Sequence, residues 1–254
     1  MTAPLIGRWW SVPAPLPAPR LRLFCFPHAG AGASCFFPWA ATLRPHAIEV
    51  CAIQLPGREN RLLEIPFTHI DPLVESLAGA IEPFLRPPFC FFGHSLGTLV
   101  SFELMRRLRA RGAPLPRHVF MSGRHAPQVP RAEETLSALP DLELIQQVAT
   151  RYGGIPKAVL QHRELVDVIV PALRADLTVL ETYEYHDAAP FDCAITAYAG
   201  RQDPHVEEAV LARWKEHTTG GFSAVMFPGD HFFLQQDRAA LIAAMSPALL
   251  AAID

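Results

Sequence analysis

The sequence predicts an α/β fold: a mostly parallel central sheet flanked by helices, with one helical insertion. Three observations predict it. From Leu21 to Phe120, short runs of large apolar residues alternate with stretches whose apolar positions recur at helical spacing, the rhythm of a parallel sheet with helices on both faces. One such run, Phe89-Cys90-Phe91-Phe92, leads straight into Gly93-His94-Ser95-Leu96-Gly97, a serine between two glycines where strand gives way to helix. From His125 to about His186 no convincing strand occurs, and the alternation then resumes.

The first strand is Leu21–Phe26, followed by the small-residue loop Pro27-His28-Ala29-Gly30-Ala31-Gly32-Ala33-Ser34. A dinucleotide fingerprint fails there, because the third glycine would have to be residue 35, which is Cys35. A short helix around Phe36 to Leu43 leads to a strand at Ile48–Ile53 and the loop Gln54-Leu55-Pro56-Gly57-Arg58-Glu59. Asp71-Pro72 reads as an N-cap with proline at the first helical position, opening a helix with Leu73, Leu77, Ile81 and Phe84 on its apolar face. The elbow helix has Leu96, Leu99, Val100, Leu104 and Leu108 inward and Glu103, Arg106, Arg107 and Arg109 outward. Gly112 and Pro114 end it, and His118–Ser122 is the next strand.

Within the insertion, Leu142 to Val148 reads as a helix capped by Asp141, and Leu165 to Tyr183 as one bent at Pro171. At roughly 60 residues the segment far exceeds an ordinary connection and reads as a lid. The sheet resumes at Ala194–Ala199, turns at Gly200-Arg201-Gln202-Asp203-Pro204, and continues through a helix from Val206 to Trp214, a strand at Phe222–Phe227 and the turn Pro228-Gly229-Asp230-His231. The division expected is a stiff leader at 1–20, marked by Pro13, Pro15, Pro17 and Pro19, a core at 21–124 and 187–254, and the lid at 125–186.

Half of the 254 residues are hydrophobic and the net charge is −3, which points away from a nucleic-acid binder or a disordered tail. Cys25, Cys35, Cys51, Cys90 and Cys193 form no C-x-x-C pair, so reduced structural thiols in a cytoplasm are expected. The N-terminus carries no basic segment followed by an apolar core, so no secretion signal is expected. The stretch Ala239 to Ile253, interrupted by Pro247, falls short of the about 20 residues that span a bilayer and reads as a helix on the core.

A serine hydroxyl is a weak nucleophile until a base takes its proton, and the base must be oriented by an acid. In the α/β-hydrolase fold that hosts such an elbow, the order is serine, acid, histidine, each at the C-terminal end of a strand. Asp203 follows the strand at 194–199 and His231 the strand at 222–227, so Ser95, Asp203 and His231 are the candidate catalytic residues. His94 neighbours the nucleophile but should face away from its oxygen. His205 and His217 lie on a helix or its approaches, His162 and His186 on the lid. Among the acids, Asp230 is adjacent to His231 and Asp192 precedes its strand. The oxyanion hole would use the Leu96 backbone N–H and one from the 28–30 loop, with Ala29 the choice.

The motifs Phe26-Pro27-His28-Ala29-Gly30, Gln54-Leu55-Pro56-Gly57-Arg58, the elbow, Asp203-Pro204-His205 and Gly229-Asp230-His231-Phe232-Phe233-Leu234 together resemble the type II thioesterases. These are free-standing editing enzymes of polyketide and non-ribosomal peptide synthesis, similar also to the medium-chain thioesterase of animal fatty acid synthase. The resemblance runs from about Leu21 to the C-terminus; the family loop commonly has a further glycine where this chain has Ala31. It implies the same site residues and hydrolysis of acyl groups from the phosphopantetheine arm of acyl or peptidyl carrier proteins. It implies no metal and no resident cofactor, since phosphopantetheine belongs to the partner; from the charge and the short apolar stretch no nucleic-acid or membrane partner is expected, and monomer is the default state. Carrier proteins are usually acidic, which makes Arg58, Arg61, Arg124 and Arg131 candidates for a docking rim. A carboxyl-ester hydrolase or an acyltransferase would share the same acyl-enzyme, and a non-catalytic binding protein could share the fold.

Overall fold

The computed structural model describes residues 8–86, 88–130 and 134–253. Among them, seven strands form one sheet in the order β1-β3-β2-β4-β5-β6-β7. The strands are β1 (Trp10–Ser11), β2 (Leu21–Phe26), β3 (Ile48–Ile53), β4 (Phe89–His94), β5 (His118–Ser122), β6 (Ala194–Gly200) and β7 (Phe222–Phe227). All neighbouring pairs are parallel except β1 with β3.

Side-chain alternation along the strands builds a core on each face. Phe24 and Phe26 of β2 and Phe89 and Phe91 of β4 point to the face covered by α2 (Ile70–Ile81) and α3 (Leu96–Ala110). Leu23, Cys25, Cys90 and Phe92 point to the opposite face, where α1 (Trp39–Leu43) and α9 (Arg238–Ala251) pack. β4 thus lies between layers that exclude water on both sides, and its C-terminal end is held rigidly.

Between β5 and β6 the chain forms α4 (Asp141–Tyr152), α5 (Lys157–Gln161) and α6 (Arg163–Glu181), with no strand among the described residues. Leu144 and Val148 of α4 pack on Leu173 and Leu177 of α6. α6 runs through Pro171 as one element. After β6 come α7 (Glu208–Leu211) and a turn of 3-10 helix, and after β7 come α8 (Phe233–Gln236) and α9.

The structure differs from expectation at several places. The N-terminal stretch read as a leader is part of the fold over its described residues. Trp10 and Ser11 pair with Ile53 and Ala52, the Leu16 N–H donates to Glu49 Oε1 at 3.0 Å, and Trp10 packs edge-on against Phe84. Trp10→Ala is therefore expected to lower the unfolding free energy by about 3–5 kcal/mol, as a buried tryptophan does, rather than the near-zero effect of a solvated leader; urea denaturation followed by circular dichroism measures it. Helix α2 begins at Ile70 with His69 as its N-cap, so Asp71 lies in the first turn and favours the helix through the N-terminal dipole instead of capping it. Likewise Pro140 caps α4, and Asp141 is its first residue. The expected helix from Val206 to Trp214 is a single α-turn followed by 3-10 helix.

Candidate active site

Ser95 stands between β4 and α3 with φ 54 and ψ −112, a backbone conformation that a side-chain-bearing residue adopts only when its surroundings force it. The glycines at both sides are explained by close approach: a Cβ on Gly97 would overlap the Phe26 carbonyl, and one on Gly93 the Gly97 carbonyl. The Ser95 N–H donates to Ser122 O at 2.8 Å. Thr98 Oγ1 accepts from the Ser122 N–H and lies 2.8 Å from both the Gly93 and Ser122 carbonyls. Thr98 thus pins the elbow to the end of β5, a role with no sequence signature of its own. Leu96 is the first residue of α3, where helix geometry leaves the N–H groups without intrahelical acceptors.

The loops after β6 and β7 bring the other two candidates together. His231 Nδ1 and Asp203 Oδ2 are 2.7 Å apart, with both side chains buried. Asp203 Oδ1 accepts the His205 N–H at 2.9 Å, which fixes the carboxylate rotation. With Nδ1 turned to Asp203, the far edge of the imidazole is left for the cavity that Ser95 and His231 both line.

That cavity encloses about 740 Å³ of free space, its open mouth included. Val148, Tyr152, Leu173, Leu177 and Leu180 from the insertion make its apolar wall, and Ala29 borders it from the loop after β2. In that loop the Ala31 N–H donates to His28 O at 3.1 Å and Gly30 has φ 77, the backbone of a type II turn at the position that requires glycine.

Three histidine rings surround the elbow. His94 is fully buried, its Nδ1 is 3.0 Å from Ser122 Oγ, and its ring centroid lies 5.1 Å from that of His231. Burial, then the charges His231 and His28 would carry, push its pKa well down, so it supports the His231 ring as a neutral imidazole. Burial lowers the His28 pKa to about 3, with His231 and Arg58 acting in the same direction. Tyr152 of α4 places its ring 5.3 Å from His231 and 4.4 Å from His205. Nothing local singles out Tyr152, because its role depends on a contact about 80 residues away along the chain.

The remaining candidates lie apart from this cluster or play other parts. His217 is buried against Phe102 and Trp214 and pairs with Gln128. Asp230 accepts the Phe232 N–H and caps the following turn. The docking rim is not as expected. Arg58 is buried in a two-pronged ion pair with Asp176 of α6, and Arg61 is buried against Trp9, Glu64 and the Gln54 carbonyl. Arg124 lines the cavity, and Arg131 lies outside the described residues. All five cysteines are free thiols. Among the described residues, no group of three or more His, Cys, Asp or Glu side chains could hold a metal ion, and no helix is long and apolar enough to cross a membrane.

Comparison with known proteins follows the same lines. A family model described as "Thioesterase domain" matches residues 21–249. The chain is 45% identical over 237 residues to the Gramicidin S biosynthesis protein GrsT of Aneurinibacillus migulanus, covering 93% of this chain and 92% of that protein. It is 40% identical over 246 residues to a protein of Brevibacillus parabrevis named Linear gramicidin dehydrogenase LgrE, covering 96% of this chain and 93% of that one. Among solved structures it is similar to the type II thioesterase BorB from the borrelidin biosynthetic cluster, with a TM-score of 0.86 and 36% identity, covering 95% of this chain and 97% of that one.

Proposed function

Because the chain belongs to the thioesterase family, we propose that it is an editing thioesterase that hydrolyses acyl groups from the phosphopantetheine arm of acyl or peptidyl carrier proteins in polyketide or non-ribosomal peptide synthesis. The observation that carries this reading is the convergence of the Ser95 elbow and the His231–Asp203 pair on one cavity walled by the helical insertion. The kinship to BorB and GrsT supports the biosynthetic setting.

Ser95 Oγ attacks the thioester carbonyl while His231 Nε2 takes its proton, and Asp203 holds the Nδ1–H so that Nε2 presents a lone pair. The oxyanion that forms is received by the Ala29 and Leu96 backbone N–H groups, the latter at the positive end of α3. The C–S bond breaks, the thiol leaves with the proton from His231, and water activated by the same imidazole hydrolyses the acyl-enzyme. In this reading the only prosthetic group involved is the phosphopantetheine that the partner carries. The five unpaired cysteines support a reducing, cytoplasmic setting. A monomer is the working state.

Matched acyl groups loaded on a phosphopantetheinylated carrier protein, on a small thiol and on an oxygen alcohol test the reading. Carrier-bound thioesters are expected to turn over at least about tenfold faster by kcat/KM than the small-thiol esters, since contacts remote from the reacting bond lower the barrier as well as KM. Equal rates on all three would replace the carrier-directed thioesterase by a general esterase, and transfer to an added alcohol or amine in preference to water would make it an acyltransferase.

A further inference from the structure

Two of the loops that set this sequence apart, Phe26-Pro27-His28-Ala29-Gly30 and Gln54-Leu55-Pro56-Gly57-Arg58, contain no residue that the mechanism uses except the Ala29 backbone. In the structure they form one unit. Gln54 Oε1 accepts the Ala33 N–H at 2.8 Å, its Nε2 donates to Arg58 O at 3.0 Å, and Glu59 accepts from the Ser34 N–H and hydroxyl. Arg58 then reaches away from its own loop to the insertion, where Nη1 and Nη2 donate to Asp176 Oδ2 and Oδ1, both at 2.8 Å. The same Asp176 Oδ2 accepts the Gly30 N–H at 2.8 Å.

This carboxylate is in an unusual place. On α6 it occupies the stripe Leu173, Asp176, Leu177, Leu180, whose leucines face the cavity, and it is 3% exposed. A charge on an apolar helix face is costly unless fully paired, and here every bond it makes is to one unit: the turn that carries Ala29 and the arginine that braces it. Leu173 packs against the same turn, its Cδ1 lying 3.3 Å from where a Cβ on Gly30 would be. The Gly30 N–H belongs to the central peptide of the turn, which the turn's own hydrogen bond leaves unsatisfied.

We infer that Asp176 and Arg58 are positioning residues, holding the 28–31 turn so that the Ala29 N–H meets the developing oxyanion, and that the oxyanion hole is therefore complete only while helix α6 is seated. This rests on the thioesterase reading above, in which Ala29 is one of the two donors. Catalysis and the seating of the insertion are thereby coupled through one carboxylate.

The test separates oxyanion binding from ordinary binding. An acyl trifluoromethyl ketone adds Ser95 Oγ to its carbonyl and leaves a tetrahedral oxyanion, whereas the thioether of matched length fills the same cavity without one. Affinities for both, and kcat and KM on a small acyl thioester, would be measured for wild type, Asp176→Asn, the double variant Arg58→Leu/Asp176→Leu and the exposed lid control Asp167→Asn, and ketone affinity also for Ser95→Ala. The double variant removes both buried charges together and so is expected to fold, as paired replacements of buried ion pairs commonly do. In both Asp176 variants, kcat and trifluoromethyl ketone affinity are expected to fall about 10²-fold, with KM and thioether affinity within about threefold of wild type. Asp167→Asn should match wild type throughout. Ketone affinity retained in the folded double variant, or equal losses for ketone and thioether, would overturn the inference and leave the ion pair a structural clamp. A ketone that binds Ser95→Ala as tightly as wild type would instead remove the serine mechanism, and this inference with it.

Discussion

Ser95→Ala is expected to lower kcat on an acyl-loaded carrier protein by about 10³ to 10⁶-fold, leaving only what the remaining donors and binding groups provide. The backbone at this position makes a second substitution informative. With φ at 54, Ser95 carries strain that a Cβ creates and alanine keeps, so Ser95→Ala should melt within a degree or two of wild type. Glycine has no Cβ, and Ser95→Gly should be equally inactive yet more stable, by about 1 kcal/mol. Thermal denaturation beside single-turnover kinetics separates the two. A Ser95→Ala enzyme with wild-type turnover would remove the nucleophile assignment, and a Ser95→Gly protein no more stable than the alanine variant would show that the elbow is not strained.

That strain also marks what could be read from the sequence. Gly93 and Gly97 announce it locally, because the residues that must be small are two positions either side of the serine. The central strands were equally legible: β2, β3 and β4 alternate between two cores, and the pattern Phe89-Cys90-Phe91-Phe92 admits little else. Asp203 and His231 could be chosen because chain order and strand ends constrain them. Other parts are not encoded locally. The β1 strand is two residues long in a proline-rich segment, and what makes it a strand is Ile53 and Ala52, some 40 residues later. Asp176 meets Gly30 across 146 residues and Arg58 across 118, so neither the carboxylate nor the arginine betrays the other, and Arg58 reads as an exposed docking residue. The one local hint was a charge among the leucines of α6. The helix starts at Ile70 and Asp141 lie two residues and one residue earlier than expected, because an aspartate serves a first turn as well as a cap.

Asp203→Asn is expected to lower kcat by about 10⁴-fold with KM little changed, and the hydrogen bonds already present explain why the loss should be so large for an isosteric change. Asp203 uses Oδ1 to accept the His205 N–H at 2.9 Å and Oδ2 to meet His231 Nδ1 at 2.7 Å. In asparagine the single remaining oxygen must accept from the backbone N–H of His205, since an amide NH2 there would oppose donor to donor. The NH2 is then directed at His231 Nδ1, which can answer only as an acceptor. The imidazole is driven into the tautomer with its proton on Nε2, where it cannot take the proton of Ser95. The geometry survives and the base is lost. Asp192→Asn, by contrast, should leave kcat within about threefold of wild type, because that residue precedes β6 and lies at the other end of the strand from the site. The distinguishing measurement is the His231 ring-proton resonance: in wild type the Nδ1 proton shared with a buried carboxylate should appear far downfield, and in Asp203→Asn it should vanish along with activity. An Asp203→Asn protein that keeps more than about a tenth of wild-type kcat would mean that another group orients His231. Tyr152, whose ring lies against both His231 and His205, would then be the side chain to replace next.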